Sequence, residues 1–370
     1  RNPFRGKALK AYLAFTFIAA LSWLINLPRW GQESIIGLGY LVRWVLLAAP
    51  FFLTRQATRK PSTGQSEAGT KDEGNILHVT GYMLRVTIFL TALLGWVQYL
   101  IFPDLTRMDY FGWDDHYYRL TGTILDPNFF GLLMVLGLGL EFSALGIKPL
   151  AFGRKLFYLI TLFFTYSRAS YLAWLVLLFS WGINRVFKPF HLQGEICRHL
   201  GGGLTRGVKK FFKIFTRSLT AYIVYFWLAV SAIIFVLMPR PTGEGGNLGR
   251  TFSIYSRINN WKQSWQIIKE NPVFGVGFNN MQIVNSKSLI SSRSSKGSTI
   301  VNHASGGADN SFLFVWATTG VFGLAAYLWL ISSLRPWWLI LPVCIHSLFN
   351  HSLFFPWVLL YIWGIQNAKG

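Results

Sequence analysis

Several apolar runs in this chain reach the roughly 20 residues that a helix needs to cross a bilayer, and they constrain the fold more than any other feature. Lipid offers no hydrogen bonds to a peptide group. Each run must therefore close its backbone bonds within itself, as a helix; a barrel would read as short alternating segments. Of the 370 residues, 52% are hydrophobic and 13% charged, where a soluble domain carries about 25% charge. The expected fold class is all-α, a polytopic membrane protein with about 10 transmembrane helices. The expected spans are 8–27, 35–53, 77–102, 126–146, 154–167, 169–187, 218–238, 311–334, 337–350 and 353–367. The fifth is short, and the last two form a tight hairpin or one bent segment. Trp30, Trp181 and Trp337 fit an interfacial aromatic belt.

Charge orients these spans. Arg1, Arg5, Lys7 and Lys10 precede the first, and Arg55, Arg59, Lys60 and Lys71 follow the second. Lys148, Arg154 and Lys155 lie between the fourth and fifth. Arg185, Lys188, Arg198, Arg206, Lys209, Lys210, Lys213 and Arg217 cluster around the loop before the seventh. Alternating spans put all of them on one side, which is then cytoplasmic. The net charge of +21 thus reflects topology and anionic lipid rather than nucleic-acid binding. Both termini face the cytoplasm, and the long 239–310 loop between the seventh and eighth spans faces outward.

The chain reads as a single transmembrane domain over 1–370. Residues 54–75 read as a polar cytoplasmic linker, and the Ser- and Gly-rich 286–308 stretch as a mobile loop. No repeat is evident. Cys197 and Cys344 form neither a disulfide framework nor a metal motif. The chain starts at Arg1 and shows no cleavable signal peptide, which leaves room for further spans upstream.

Three arginines lie at outer span ends: Arg119, Arg168 and Arg257. The first outer loop, from Pro103 to Asp126, ends in Arg119-Leu-Thr-Gly-Thr-Ile-Leu-Asp-Pro-Asn128. Asp126 suits the cap of a helix starting at Pro127. A helix N-terminus there, reinforced by Arg119, suits an anion, although a salt-bridged loop with an ordinary cap explains the same residues. Arg168 sits in Tyr166-Ser-Arg-Ala-Ser170 between two apolar runs. Either it snorkels to lipid phosphate, or its small neighbours signal close helix packing.

Around Arg257, residues Ile254, Ile258, Trp261, Trp265 and Ile268 form one stripe at about 100° per residue, with Arg257 at its border. Lys262, Gln263, Gln266 and Glu270 lie away from it, so an amphipathic helix on the membrane surface is expected. Asn271-Pro272 ends that helix, and Gly275-Val-Gly277 permits a tight turn or close backbone approach. His303 and Asp309-Asn310-Ser311 precede the eighth span. Asp309 and Ser311 suit capping, and Asp309 or His303 suits proton abstraction from a hydroxyl. His346 and His351 read as packing or interfacial groups, and no metal site is expected.

These motifs occur in an order that resembles the O-antigen ligase/O-antigen polymerase superfamily: Arg119-Leu-Thr-Gly-Thr through Pro-Asn128, Ser167-Arg168-Ala, Arg257 with Trp261, Asn271-Pro272, Gly275-Val-Gly277, Asp309-Asn310-Ser-Phe-Leu313, Gly320 and Gly323, and His346-Ser-Leu-Phe349. The resemblance covers about residues 80–365. It implies a metal-independent, inverting glycosyltransferase of the bacterial inner membrane, without a cofactor. Such an enzyme acts at the periplasmic face, and the 239–310 segment becomes a periplasmic loop. The donor is a glycan on undecaprenyl pyrophosphate; the acceptor is lipid A–core, a growing glycan or a protein. By match to the family motifs, Arg119 and Arg257 bind the donor pyrophosphate, with Arg168 as a further match. Asn128, Trp261 and Asn310 support the site, and Asp309 or His303 is catalytic. Ligases of the family usually carry His-Asn where this chain has Asp309-Asn310, which leaves room for a polymerase. The surface helix would border the path of the prenyl chain, and the 286–308 loop would order over the acceptor.

Two other classes compete. A transporter or lipid-linked-glycan flippase usually places ionisable groups at the membrane midplane, on broken helices in inverted repeats. Here they cluster at one face, and the main intramembrane charge, Glu141, lies near the cytoplasmic end of its span. A structural scaffold explains the spans but not outer arginines.

Overall fold

The computed structural model describes residues 3–57, 68–106, 116–143, 149–187, 206–240, 246–284 and 308–368. Each expected span overlaps a helix. In chain order these are α1 (Pro3–Trp30), α2 (Ile35–Ala57), α3 (Ala68–Ile101), α4 (Pro127–Ser143), α5 (Pro149–Phe163), α6 (Arg168–Phe187) and α7 (Arg206–Leu237). The surface helix α8 (Phe252–Glu270) follows, and then α9 (Ser311–Ser333), α10 (Trp337–His346) and α11 (Pro356–Ala368). Among the described residues there is no strand, only an isolated bridge between Asp104 and Tyr117. Helices α2 and α3 extend into the expected linker, leaving 58–67 between them, outside the described residues.

Among the described residues, five stretches are long and apolar enough to cross a membrane: Gly6–Ala49, which holds most of α1 and α2, Gly81–Ile101, Arg168–Phe187, Arg217–Leu237 and Ser311–Ser333. Helices α4, α5 and α10 have 17, 15 and 10 residues. At 1.5 Å per residue they reach only about 26, 23 and 15 Å, short of a hydrocarbon core of about 30 Å. The tenth-residue limit of α10 corrects the expected 337–350 span: the helix stops at His346, where the chain enters a turn.

Helix α4 is apolar all round, and 14 of its 17 residues are buried, as expected of a helix with no water-facing side. Helices α3, α5, α6, α10 and α11 pack around it. The outward faces elsewhere carry Phe17, Leu46, Leu100, Tyr222 and Val236, each more than 60% exposed. Apolar exposure on this scale marks a surface that water does not cover. The buried Glu141 accepts from Arg154 Nε at 3.0 Å and Nη2 at 2.9 Å, with Arg85 at 3.8 Å. A buried carboxylate persists only when paired in this way.

One segment ties the outer layer to the core. After α8, residues 271–284 descend between α1 and α9. Helix α9 breaks at Gly320, whose φ of 70° and ψ of −171° lie outside the helical region. The break lets Val276 N–H donate to Ala317 O at 3.0 Å, Gly277 N–H to Thr318 O at 3.0 Å, and Val321 N–H to Pro272 O at 2.9 Å. Helix α1 satisfies the segment's other side. Ser22 donates to both Phe274 O and Thr318 O, at 2.6 and 2.8 Å. Asn26 donates to Gly275 O at 3.2 Å and Trp30 Nε1 to Val276 O at 2.8 Å. Irregular backbone is tolerated at membrane depth only when protein satisfies it like this. The contact is too close for side chains: a Cβ on Gly275 would overlap the Thr318 carbonyl, and one on Gly320 the Val273 carbonyl.

In an ordinary exposed helix interior Gly→Ala stabilises by about 1 kcal/mol. Gly320→Ala is expected to do the reverse, destabilising by about 2 kcal/mol or more through positive φ and steric overlap. Thermal unfolding in detergent checks this; an unchanged or higher Tm would contradict the interlock.

Candidate functional site

The arginines of the outer loops gather at one end of the bundle, each positioned differently. Arg119 is only 5% exposed. Its Nε donates to Thr165 O at 3.0 Å and Nη2 to Tyr166 O at 3.5 Å, in the turn between α5 and α6. Tyr166 holds that turn with φ of 50°, a left-handed conformation that costs a non-glycine roughly 1–2 kcal/mol. In return two carbonyls face Arg119, and the Tyr166 carbonyl also accepts from Arg250 Nη2 at 3.5 Å.

Among the described residues no carboxylate lies within ion-pair distance of Arg119, Arg168 or Arg257. Burial pulls the Arg119 guanidinium below its ordinary range, as do the nearby positive charges of Arg250 and Arg257; Asp126 and Tyr171 pull the other way. Arg257 is lowered by burial and by Arg168, against Asp309 and Asp126. Both remain charged at neutral pH, and among the described residues neither is paired with a carboxylate at ion-pair distance. Arg119 lies within electrostatic range of Arg250 and Arg257, and Arg257 of Arg168, so positive charge collects at this end of the bundle.

Arg168, at the start of α6, has three hydrogen bonds. It donates to Leu248 O and Arg250 O, both at 3.1 Å, and to Ser253 Oγ at 2.8 Å. It clamps the loop that leads into α8, which matches the close-packing alternative rather than snorkelling to lipid. Arg257 donates to Asn350 Oδ1 at 3.4 Å. Asn350 belongs to the turn between α10 and α11.

Asp126 caps α4 as expected, its Oδ1 accepting from Asn128 N–H at 2.6 Å and Phe129 N–H at 3.1 Å. Those amides are thereby used, and Pro127 has none. The expectation of anion binding on the α4 N-terminus is corrected: the cap occupies it, and the guanidiniums remain as the donors. Burial pushes the Asp126 carboxyl up, while its amide bonds and Arg119 pull it down. Asn128 links layers instead. Its Oδ1 accepts from Ser167 Oγ at 2.9 Å and its carbonyl from Ser170 Oγ at 3.0 Å. Ser170 Oγ lies 3.2 Å from His346 Nε2, and His346 Nδ1 lies 2.6 Å from Ser352 Oγ. A buried polar chain thus runs beneath Arg257, and His346 belongs to it rather than to simple packing.

The cap of α9 is Asn310, not Asp309 or Ser311. Its Oδ1 accepts from Phe312 N–H at 2.9 Å and Leu313 N–H at 3.1 Å. Ser311 is turned inward, its N–H donating to Ser347 O at 2.9 Å. Asp309 is left facing α8, where Oδ2 accepts from Asn260 Nδ2 at 2.7 Å and the Arg257 charge lies nearby. His303 and the loop 285–307 lie outside the described residues.

Helix α8 divides differently from the expected stripe. Arg257, Asn260, Trp261, Ser264, Ile267 and Ile268 face the protein, while Ile254, Ile258 and Trp265 are 38–45% exposed. The stripe is split because the helix has two apolar neighbours, the bundle on one side and an uncovered face on the other. Trp261 packs near Phe349, ring centroids 6.4 Å apart. Arg250, Asn260, Asn350, Ser170 and Ser352 are site residues that sequence reasoning missed. Asn260, three residues after Arg257 on one helix face, carried a signal; Asn350 carried none.

Replacing Arg168 with Gln should release the loop into α8. Amide exchange at 248–256 should rise about tenfold or more, since one hydrogen bond is worth about 1 kcal/mol and three are lost. Unchanged exchange there would contradict the clamp.

The O-antigen ligase family model matches residues 155–328. The match is narrower than 80–365 and holds Arg168, Arg250, Arg257 and Asp309, while Arg119, Asn128 and Asn350 fall outside it. No curated protein matches the chain.

Proposed function

The chain belongs to the O-antigen ligase/O-antigen polymerase superfamily, and from that premise we propose that it transfers a glycan from undecaprenyl pyrophosphate to an acceptor at the periplasmic face of the bacterial inner membrane. The observation that carries this reading is the buried Arg119 with half-buried Arg257 and Arg168 nearby, none within ion-pair distance of a carboxylate among the described residues, and Asp309 close to Arg257. About ten helices cross or enter the bilayer in this reading, with the basic loops inside.

The reaction is an inverting displacement. An acceptor hydroxyl attacks the anomeric carbon, Asp309 takes its proton, and the bond from that carbon to the pyrophosphate oxygen breaks. Charge grows on the departing pyrophosphate. Arg119 and Arg257 stabilise that charge as preorganised donors partly removed from water. They fill the role that a divalent cation has in other phosphate chemistry, so no metal is needed. Asn260 holds the Asp309 carboxylate, and Asn350 holds Arg257. Arg168 acts by placing α8, and Trp261, Asn128 and Asn310 act through packing, layer linkage and capping. The exposed Ile254, Ile258 and Trp265 would rest in the interface and border the prenyl chain.

A ligase passing the glycan to lipid A–core is the reading preferred here. A repeat-unit polymerase is the second, favoured by Asp309 where ligases usually have His. Transport is disfavoured because Glu141, the intramembrane carboxylate, is bound by Arg154 and Arg85.

Arg257→Ala should lower glycan transfer by about 10²-fold or more with the protein still in the membrane; wild-type transfer would remove Arg257 from the donor site. Asp309→Asn should lower turnover by about 10²–10⁴-fold with donor and acceptor saturating, and full turnover would exclude it as base. Reconstitution with an undecaprenyl-linked glycan separates the readings. Lengthened glycans indicate a polymerase, transfer to lipid core or protein a ligase, and movement without a new bond a transporter.

A further inference from the structure

His346, at the end of α10, is fully buried and takes no part in the transfer step described above. Its ring bridges two hydroxyls, with Nε2 3.2 Å from Ser170 Oγ and Nδ1 2.6 Å from Ser352 Oγ. A buried imidazole needs a partner at each nitrogen. A hydroxyl serves in either tautomer, because it can donate or accept. The two partners come from different parts of the fold. Ser352 lies just beyond the turn that follows α10, whereas Ser170 stands in the first turn of α6.

Ser170 is a fixed point. Its Oγ lies 3.0 Å from Asn128 O and 2.9 Å from Ser167 Oγ, and its N–H donates to Ser167 Oγ at 3.3 Å. Helix α4 presses on it where Gly131 has no side chain: a Cβ on Gly131 would come within 2.6 Å of Ser170 Oγ. A hydroxyl packed this closely has little room to shift. Through it, His346 ties the turn after α10 to the meeting point of α4 and α6.

That turn is the mount for both halves of the outer site. Asn350 Oδ1 accepts from Arg257 Nη2 at 3.4 Å. Leu348 O accepts from Asn310 Nδ2 at 3.2 Å, and Ser347 O from Ser311 N–H at 2.9 Å. The two residues that follow Asp309 therefore rest on the same turn as the acceptor for Arg257. A shift of the turn would move both supports together. Catalytic sites are sensitive to this, since a misplacement of about 1 Å can cost about 10²-fold.

We propose that His346 is a positioning residue for the donor site: its bond to Ser170 sets where the turn presents Asn350, and thereby where Arg257 meets the donor pyrophosphate. The proposal rests on the reading that Arg257 receives that pyrophosphate. His346 itself touches no substrate and moves no proton of the reaction.

The test is calorimetric titration of the purified full chain in detergent with inorganic pyrophosphate and a metal chelator, at a temperature where thermal unfolding shows each variant folded. Glycan transfer is measured in parallel. An Asn side chain places its amide at the level of Nδ1, and Gln at the level of Nε2. His346→Asn thus keeps the contact to Ser352 and loses Ser170, while His346→Gln does the reverse. His346→Asn and Ser170→Ala should each weaken pyrophosphate binding about fivefold or more, the worth of one hydrogen bond. His346→Gln should restore binding to near the wild-type level. In an Arg257→Lys background, His346→Asn should add little further loss, because residues that act through one another are not additive. Wild-type affinity in folded His346→Asn and Ser170→Ala would overturn the proposal. So would equal losses in the Asn and Gln variants, as a stabilising role alone would give, or additive losses with Arg257→Lys. Pyrophosphate binding without glycan transfer by the wild type would sink the transferase reading and leave this proposal standing; no pyrophosphate binding by the wild type would overturn both.

Discussion

Backbone that leaves a helix inside a bilayer must find its partners within the protein, and the placement of the outer site depends on how this chain meets that demand. The break at Gly320 frees carbonyls in α9, and the segment after α8 uses them. Ser22, Asn26 and Trp30 of α1 close the remaining bonds. Helix α8 is thereby fastened at its C-terminal end. Arg168 fastens the other end through Leu248, Arg250 and Ser253. Arg257, between the two anchors, is held over the turn that carries Asn350.

The second constraint is electrostatic. A buried guanidinium without an ion-pair partner is unfavourable in the folded protein, and among the described residues this fold accepts one at Arg119, with half-buried Arg168 and Arg257 nearby. It holds them with carbonyls rather than carboxylates, as at Arg119 with Thr165 and Tyr166. Carbonyls orient a cation while leaving its charge largely available. Glu141 shows the opposite solution at the other end of α4, where a bidentate Arg154 neutralises a buried charge and leaves nothing for a ligand. The contrast between those two ends is the physical basis for placing anion chemistry at the outer one.

Much of the helical frame was legible in the sequence, because length and apolarity decide it locally. Asp126-Pro127 marked the start of α4, and Asn271-Pro272 the end of α8. The cap of α9 was misplaced by one residue, since Asp309, Asn310 and Ser311 are all good caps and only the fold chooses among them. The polar face of α1 was readable in principle, because Ser22, Asn26 and Trp30 recur at a spacing of four. What they satisfy was not readable, since their partners are about 250 residues away. The site was legible in part. Motif order singled out Arg119, Arg168 and Arg257, but Arg250 and the polar chain through His346 depend on contacts between distant elements. That Arg168 clamps a loop also needed the partners' positions.

The central claim is that the outer guanidiniums receive a lipid-linked pyrophosphate. Calorimetric titration of the purified protein with a short-chain prenyl pyrophosphate, in the presence of a metal chelator, tests it most directly. The account predicts saturable binding, about tenfold weaker or more for the prenyl monophosphate because charge-assisted hydrogen bonds of roughly 1.5–3 kcal/mol are lost, and no binding of the parent prenol. Equal affinity for pyrophosphate and prenol would contradict it.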